Sequence, residues 1–174
     1  RCAGAGAARE GSAGGKAAGK SGSAESNPDR VVDGGSVTAV KRTRAEALQA
    51  AGFPVTDPGD TPLEDKARLT AGIRLLSNWD TEMLLITLGE QGMMLLERSK
   101  TPHHIPTKAR QVFDVSGAGD TAIALFTLAL CCGATPVAAA EISNHASAVV
   151  VAKLGTATVT PAELIASFED DNAA

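Results

Sequence analysis

The sequence predicts an α/β fold, layered α/β/α, with helices on both sides of a mostly parallel sheet. Three observations point there. From Val31 onward, short apolar runs alternate with helical patterns. Met83-Leu-Leu-Ile-Thr-Leu88 is an unbroken apolar run with a β-branched centre, as expected of a central strand covered on both faces. Several helical segments open on capping residues, which mark where each helix begins.

In chain order, Ser36-Val-Thr-Ala-Val40 reads as a strand and Arg44 to about Ala51 as a helix. Thr61 reads as the cap of a second helix, with Pro62 suited to its first turn and Glu64 completing a capping box. Ala67, Ala71, Leu75 and Trp79, with Ile73 and Leu76 alongside, give that helix an apolar side. After the strand at Met83, Gly89-Glu-Gln-Gly92 turns the chain and Met93-Met-Leu-Leu-Glu97 returns as a hairpin partner. His103-His-Ile-Pro-Thr107 reads as a short edge strand, because Pro106 has no N–H for a ladder. Two helices follow, from about Gly117 to Cys132 and from about Pro136 to Lys153, and Thr160-Pro-Ala-Glu163 caps a terminal one. Cys131 and Cys132, ending an apolar helix, read as small packed hydrophobes.

Composition narrows the function classes. The chain has 174 residues, 44% of them hydrophobic and 21% charged, as in a soluble domain with its own core. A net charge of -4 and an aromatic content of 3%, without tyrosine, argue against nucleic-acid binding, which needs basic surfaces or stacking rings. The longest apolar run, around Ala122 to Cys132, is too short to cross a bilayer, and no charged-then-apolar leader opens the chain. Three cysteines without a spaced framework fit a reducing compartment. The expectation is a cytoplasmic protein with small-molecule partners, no nucleic acid and no membrane.

Residues 1–30 are rich in Gly, Ala and Ser and read as a disordered tail, and residues 31–174 as the folded part. The tail contains Gly14-Gly-Lys-Ala-Ala-Gly19-Lys20-Ser21, which matches the P-loop pattern letter for letter. A working P-loop needs a buried strand before the glycines and a helix after the serine. Neither pattern is present here, so the match is read as a product of composition.

The chemistry-bearing stretch is Asp114-Val-Ser-Gly-Ala-Gly-Asp120. Gly117-Ala118-Gly119 stands just before a long helical pattern, where small residues let an anion approach the backbone. First-turn N–H groups lack intrahelical partners and face such an anion with the positive end of the helix dipole. Asp120 puts a carboxylate into the same turn, where it can take the proton of an attacking hydroxyl during phosphoryl transfer. By itself this pattern is equally a tight turn followed by a favourable first-turn acid.

The longer string Asp114-Val-Ser-Gly-Ala-Gly-Asp-Thr121 resembles the D-T-x-G-A-G-D-T signature of the ribokinase/PfkB carbohydrate kinases, over about Val31 to Glu169. The resemblance implies a ribokinase-like fold and Asp120 as catalytic base, with the amides of Gly117, Ala118 and Gly119 as anion hole. It implies that Asp114 orders the loop, often with a monovalent cation such as K+, with Ser116 beside it. Thr87-Leu-Gly89-Glu-Gln-Gly92 resembles the family's T-x-G-x-x-G turn along the phosphates and ribose of ATP, and is also a plain hairpin turn. Asn144 resembles the asparagine of the helix beside the adenine, and is also readable as a surface amide. Glu46, in Thr43-Arg-Ala-Glu46, matches the glutamate of an N-x-x-E motif that organises Mg2+, with Thr43 in place of the asparagine. The same four residues read as a capping box.

Arg110 to Thr121 and Val149-Val-Val-Ala-Lys-Leu-Gly-Thr-Ala-Thr-Val-Thr-Pro161 resemble most the heptose 7-phosphate kinase branch. That branch implies a sugar phosphate as substrate, phosphorylated at its anomeric hydroxyl for lipopolysaccharide core assembly. Other sugar or nucleoside kinases of the family, or a non-catalytic nucleotide-binding fragment, stay open, as does a homodimer. No counterpart of the family's N-terminal half, with its sugar pocket and lid, is legible. The expectation is therefore a partial fold with weak or no turnover alone.

Overall fold

The computed structural model describes residues 23–24, 37–57 and 61–172. Its elements are β1 (Ser23–Ala24), β2 (Ala39–Thr43), α1 (Arg44–Ala50), α2 (Lys66–Asn78), β3 (Met83–Thr87) and a 3-10 turn (Gly89–Gln91). They continue with β4 (Met93–Glu97), β5 (His103–Ile105), α3 (Ala118–Cys131), α4 (Pro136–Val151) and α5 (Pro161–Asn172). The strands form one mixed sheet in the order β1-β2-β3-β4-β5. β1, β2 and β3 are parallel, whereas β4 and β5 each run antiparallel to the strand before them. β1 lies inside the segment read from composition as tail. The P-loop-like string lies outside the described residues.

Alternation along β3 sorts its side chains into two cores, as the pleat requires. Leu84 and Ile86 pack with Ala47, Leu48, Ala71 and Leu75 from α1 and α2. Met83 and Leu85 pack on the other face with Ala122, Phe126, Ala139 and Ala140 from α3 and α4. The run is apolar throughout because both faces are covered, so the three layers follow directly from it.

Several local readings shift. The strand read at residues 36–40 is Ala39–Thr43, and it continues through Lys41 and Arg42, both buried. Arg42 keeps its charge company by lying over the Trp79 ring, 5.1 Å from the centroid. The second helix begins at Lys66 and is capped by Asp65, which accepts the Arg68 amide at 3.0 Å. Thr61 and Glu64 instead close a turn, with the Glu64 amide donating to the Thr61 carbonyl. Ile73, read as part of the apolar side, is exposed, and buried Arg68 takes a place on it. Cys131 and Cys132 are exposed rather than packed in a core.

Candidate active site

The carboxyl end of the parallel strands is where α/β sheets leave room for ligands. Thr43 and Thr87 are register partners at the ends of β2 and β3. Thr87 also pairs with Met93 at the start of β4, and Met93 pairs with Ile105 at the end of β5. The turn between β3 and β4 is closed by the Leu88 amide on the Gly92 carbonyl at 2.8 Å and the Gly92 amide on the Gly89 carbonyl at 3.0 Å. Gly92 has φ +89, and a Cβ there would collide with the backbone of Ile105, Pro106 and Thr107. Only glycine lets the turn lie this close to the chain leaving β5. The Gln91 carbonyl is also bound by His104 Nε2 at 2.7 Å.

α4 ties the rest of the site to this end. Asn144, 4% exposed, donates its Nδ2 to the Pro106 carbonyl at 2.6 Å, so it is not a surface amide. One residue earlier, Ser143 donates its hydroxyl to the Ala122 carbonyl at 2.8 Å and also lies 3.8 Å from Met93 Sδ. One turn later, Ser147 reaches the Ala118 carbonyl at 3.4 Å. Both serines are spaced to hold the first turns of α3 at the Met93 end of β4. The sequence reading missed them, although they flank Asn144.

Gly117 caps α3 in the left-handed region, φ +78, where a β-carbon would sit 3.1 Å from Thr156 Cγ2. The Thr121 amide donates to the Gly117 carbonyl at 2.9 Å and starts the helical ladder. The Ala118 amide is already used, donating to the Val115 carbonyl at 3.2 Å. The amides of Gly119 and Asp120 have no protein acceptor among the described residues. They point outward with the helix dipole, and the exposed Asp120 stands in the same turn.

Asp114 holds the loop before this turn. Its Oδ1 accepts the Ser116 amide at 2.8 Å and its Oδ2 accepts the Gly155 amide at 3.1 Å. Hydrogen bonds from Ser116, hydroxyl and amide, together with the Gly155 amide, hold its carboxyl below the usual carboxylate range. The amides of Phe113 and Asp114 also donate to the Val151 carbonyl, at 2.8 and 3.3 Å. The loop is thereby fastened to the C-terminal end of α4 and to the segment beyond it.

Glu46 forms a reciprocal capping box with Thr43, accepting the Thr43 amide at 2.8 Å while Thr43 Oγ1 accepts the Glu46 amide at 3.3 Å. This box places the Glu46 carboxylate at the sheet end that bears Thr87. One carboxylate oxygen is committed to the cap, and Oε1 has no partner among the described residues. No group of three or more His, Cys, Asp or Glu side chains forms a metal cage among the described residues.

The comparisons with known proteins agree with this fold. The description "pfkB family carbohydrate kinase" matches residues 25–163. The chain is 44% identical over 131 residues to the bifunctional protein HldE of Geobacter metallireducens, covering 75% of this chain and 25% of that protein. It is 43% identical over 134 residues to the HldE of Desulfatibacillum aliphaticivorans, covering 76% and 26%. It therefore spans about a quarter of the length of these curated relatives. Among solved structures, ribokinase of Arabidopsis thaliana complexed with ribose and ATP matches with a TM-score of 0.76 at 19% identity, covering 88% of this chain and 49% of that one. Phosphofructokinase-2 of Escherichia coli, in complex with substrates and products, matches with a TM-score of 0.73 at 15% identity, covering 89% and 48%. At such identities these structures speak for the ribokinase-like fold. With that family match over most of the chain, the chain belongs to the pfkB family of carbohydrate kinases.

Proposed function

We propose that this chain carries the phosphoryl-transfer site of an ATP-dependent sugar kinase whose acceptor is the anomeric hydroxyl of a heptose 7-phosphate. The supporting observation is the first turn of α3, where uncommitted amides of Gly119 and Asp120 share one turn with an exposed carboxylate. In this reading those amides and Gly117 receive the terminal phosphate, and Ala118 contributes smallness rather than its amide. Asp120 takes the acceptor proton. A loose transition state suits a carboxylate in that role, because the hydroxyl proton leaves late.

Thr87, Gly89 and Gly92 line the nucleotide phosphates and ribose, and Asn144 lies behind the base, positioned through Pro106 rather than by direct hydrogen bonding. Asp114 and Ser116 keep the phosphate loop in shape. Mg2+ would arrive on the nucleotide phosphates, neutralising their charge, with Glu46 as its protein-side contact through water. A monovalent cation such as K+ would join a loop whose Asp114 oxygens already accept two amides. The heptose assignment rests on the likeness of residues 110–121 and 149–161 to that branch. The reaction belongs in the cytoplasm, where ATP and sugar phosphates meet. Among the described residues, no helix is long and apolar enough to cross a membrane.

The test is a panel of sugar phosphates, sugars and nucleosides, offered with ATP and Mg2+ to the protein. Phosphate transfer to heptose 7-phosphate ahead of fructose 6-phosphate, ribose and nucleosides is the expected result. Preference for any other acceptor would discard the heptose assignment, and no ATP binding at all would discard the kinase reading.

A further inference from the structure

The segment after α4 is shaped by a cation that neither the family signature nor the proposed chemistry uses. Lys153 Nζ lies 2.7 Å from the Thr158 carbonyl and 2.7 Å from Glu163 Oε1. Glu163 Oε2 in turn accepts from the Thr160 amide at 2.8 Å and from the Thr160 hydroxyl at 2.9 Å. One ammonium thus joins the end of α4, the middle of the loop and the first turn of α5. The loop so closed presents the Gly155 amide to Asp114 and the Thr156 methyl to Gly117.

We propose that Lys153 and Glu163 are positioning residues for the phosphate loop, acting through Gly155 on Asp114 and through Thr156 on Gly117. Neither touches the reacting atoms. The pair is a third or more exposed, and pairs of that kind add little to global stability. Its effect is local: without the clip, residues 154–159 have no other cation joining their two ends among the described residues. The Gly155 amide then wanders, Asp114 loses one of its two amide donors, and the cap of α3 loosens. The inference rests on the kinase reading for its functional consequence, but not for its structural one.

The experiment compares Lys153→Met, Lys153→Arg and, as a control, Lys100→Met, which breaks a similar surface pair with Glu97 away from the site. Two quantities are read on the full chain: hydrogen exchange at the Gly155 amide, and affinity for ATP by calorimetry. Lys153→Met is expected to raise Gly155 exchange and weaken ATP binding by about threefold each. Lys153→Arg is expected to restore both, and Lys100→Met to leave both unchanged. A shared melting-temperature loss in the two methionine variants, with Gly155 exchange unmoved by Lys153→Met, would overturn the proposal. If the unmodified chain binds no ATP, the kinase reading fails by itself, while Gly155 exchange still decides whether the clip positions the loop.

Discussion

The Asp114 carboxylate accepts the Gly155 amide at 3.1 Å across a separation of 41 residues, while its other oxygen accepts the Ser116 amide. One side chain thus joins the loop before α3 to the segment after α4. A helix start by itself is a common feature. Here it is the end of a loop fastened at both sides, and pre-organised amides are what electrostatic stabilisation requires.

This staple has a pH dependence of definite sign. Hydrogen bonds depress the Asp114 carboxyl in the folded protein. Its contribution is complete above the ordinary carboxylate pKa and is lost as pH falls through the lower folded value. Glu163 behaves likewise, pushed down to about 2 by Lys153 first and by the Thr160 amide and hydroxyl next. Amide shifts of Ser116 and Gly155, followed by NMR from neutral to acid pH, should titrate below the usual carboxylate range. In Asp114→Asn that titration should vanish.

Replacing Asp120 with Asn keeps size and removes the carboxylate proposed as base. In the catalytically competent protein, turnover should drop by about 10²- to 10⁴-fold while ATP affinity stays within about twofold. Stopped turnover measured beside calorimetric ATP binding checks this, and an unchanged rate would remove Asp120 from its assigned role.

Gly89 and Gly92 separate conformational strain from collision. Both have positive φ, but a β-carbon at Gly89 meets nothing within 4 Å whereas one at Gly92 runs into backbone. Gly89→Ala should cost about 1 kcal/mol. Gly92→Ala should cost about 2–4 kcal/mol and displace the turn that carries Thr87. Urea unfolding of the two variants reads the difference directly.

Asn144 predicts an unusual order of substitutions. Its Nδ2 donates to the Pro106 carbonyl in a nearly buried place. Asn144→Ala removes one donor and should cost about 1–3 kcal/mol. Asn144→Asp is closer in shape, yet a carboxylate cannot donate to that carbonyl and brings a charge into the interior. Chemical denaturation at neutral pH should therefore rank Asp below Ala.

The sequence by itself determined much of what is written in neighbouring residues, although the capping box read at Thr61 and Glu64 proved to be a turn before Asp65. The apolar run of β3 announced a strand covered on both faces, because side-chain alternation sends Leu84 and Leu85 to opposite cores. Capping boxes at Thr43 and Thr160 were legible because both halves of each lie within one turn. The glycine-led start of α3 was legible for the same reason. The tertiary structure decided what depends on partners distant in sequence. It buried Lys41 and Arg42 and committed Asn144 to Pro106. It also brought Ser143, Ser147, Lys153 and Gly155 to the loop. No local pattern marks these residues, since a hydroxyl, an ammonium or an amide takes its role from the acceptor that folding brings to it.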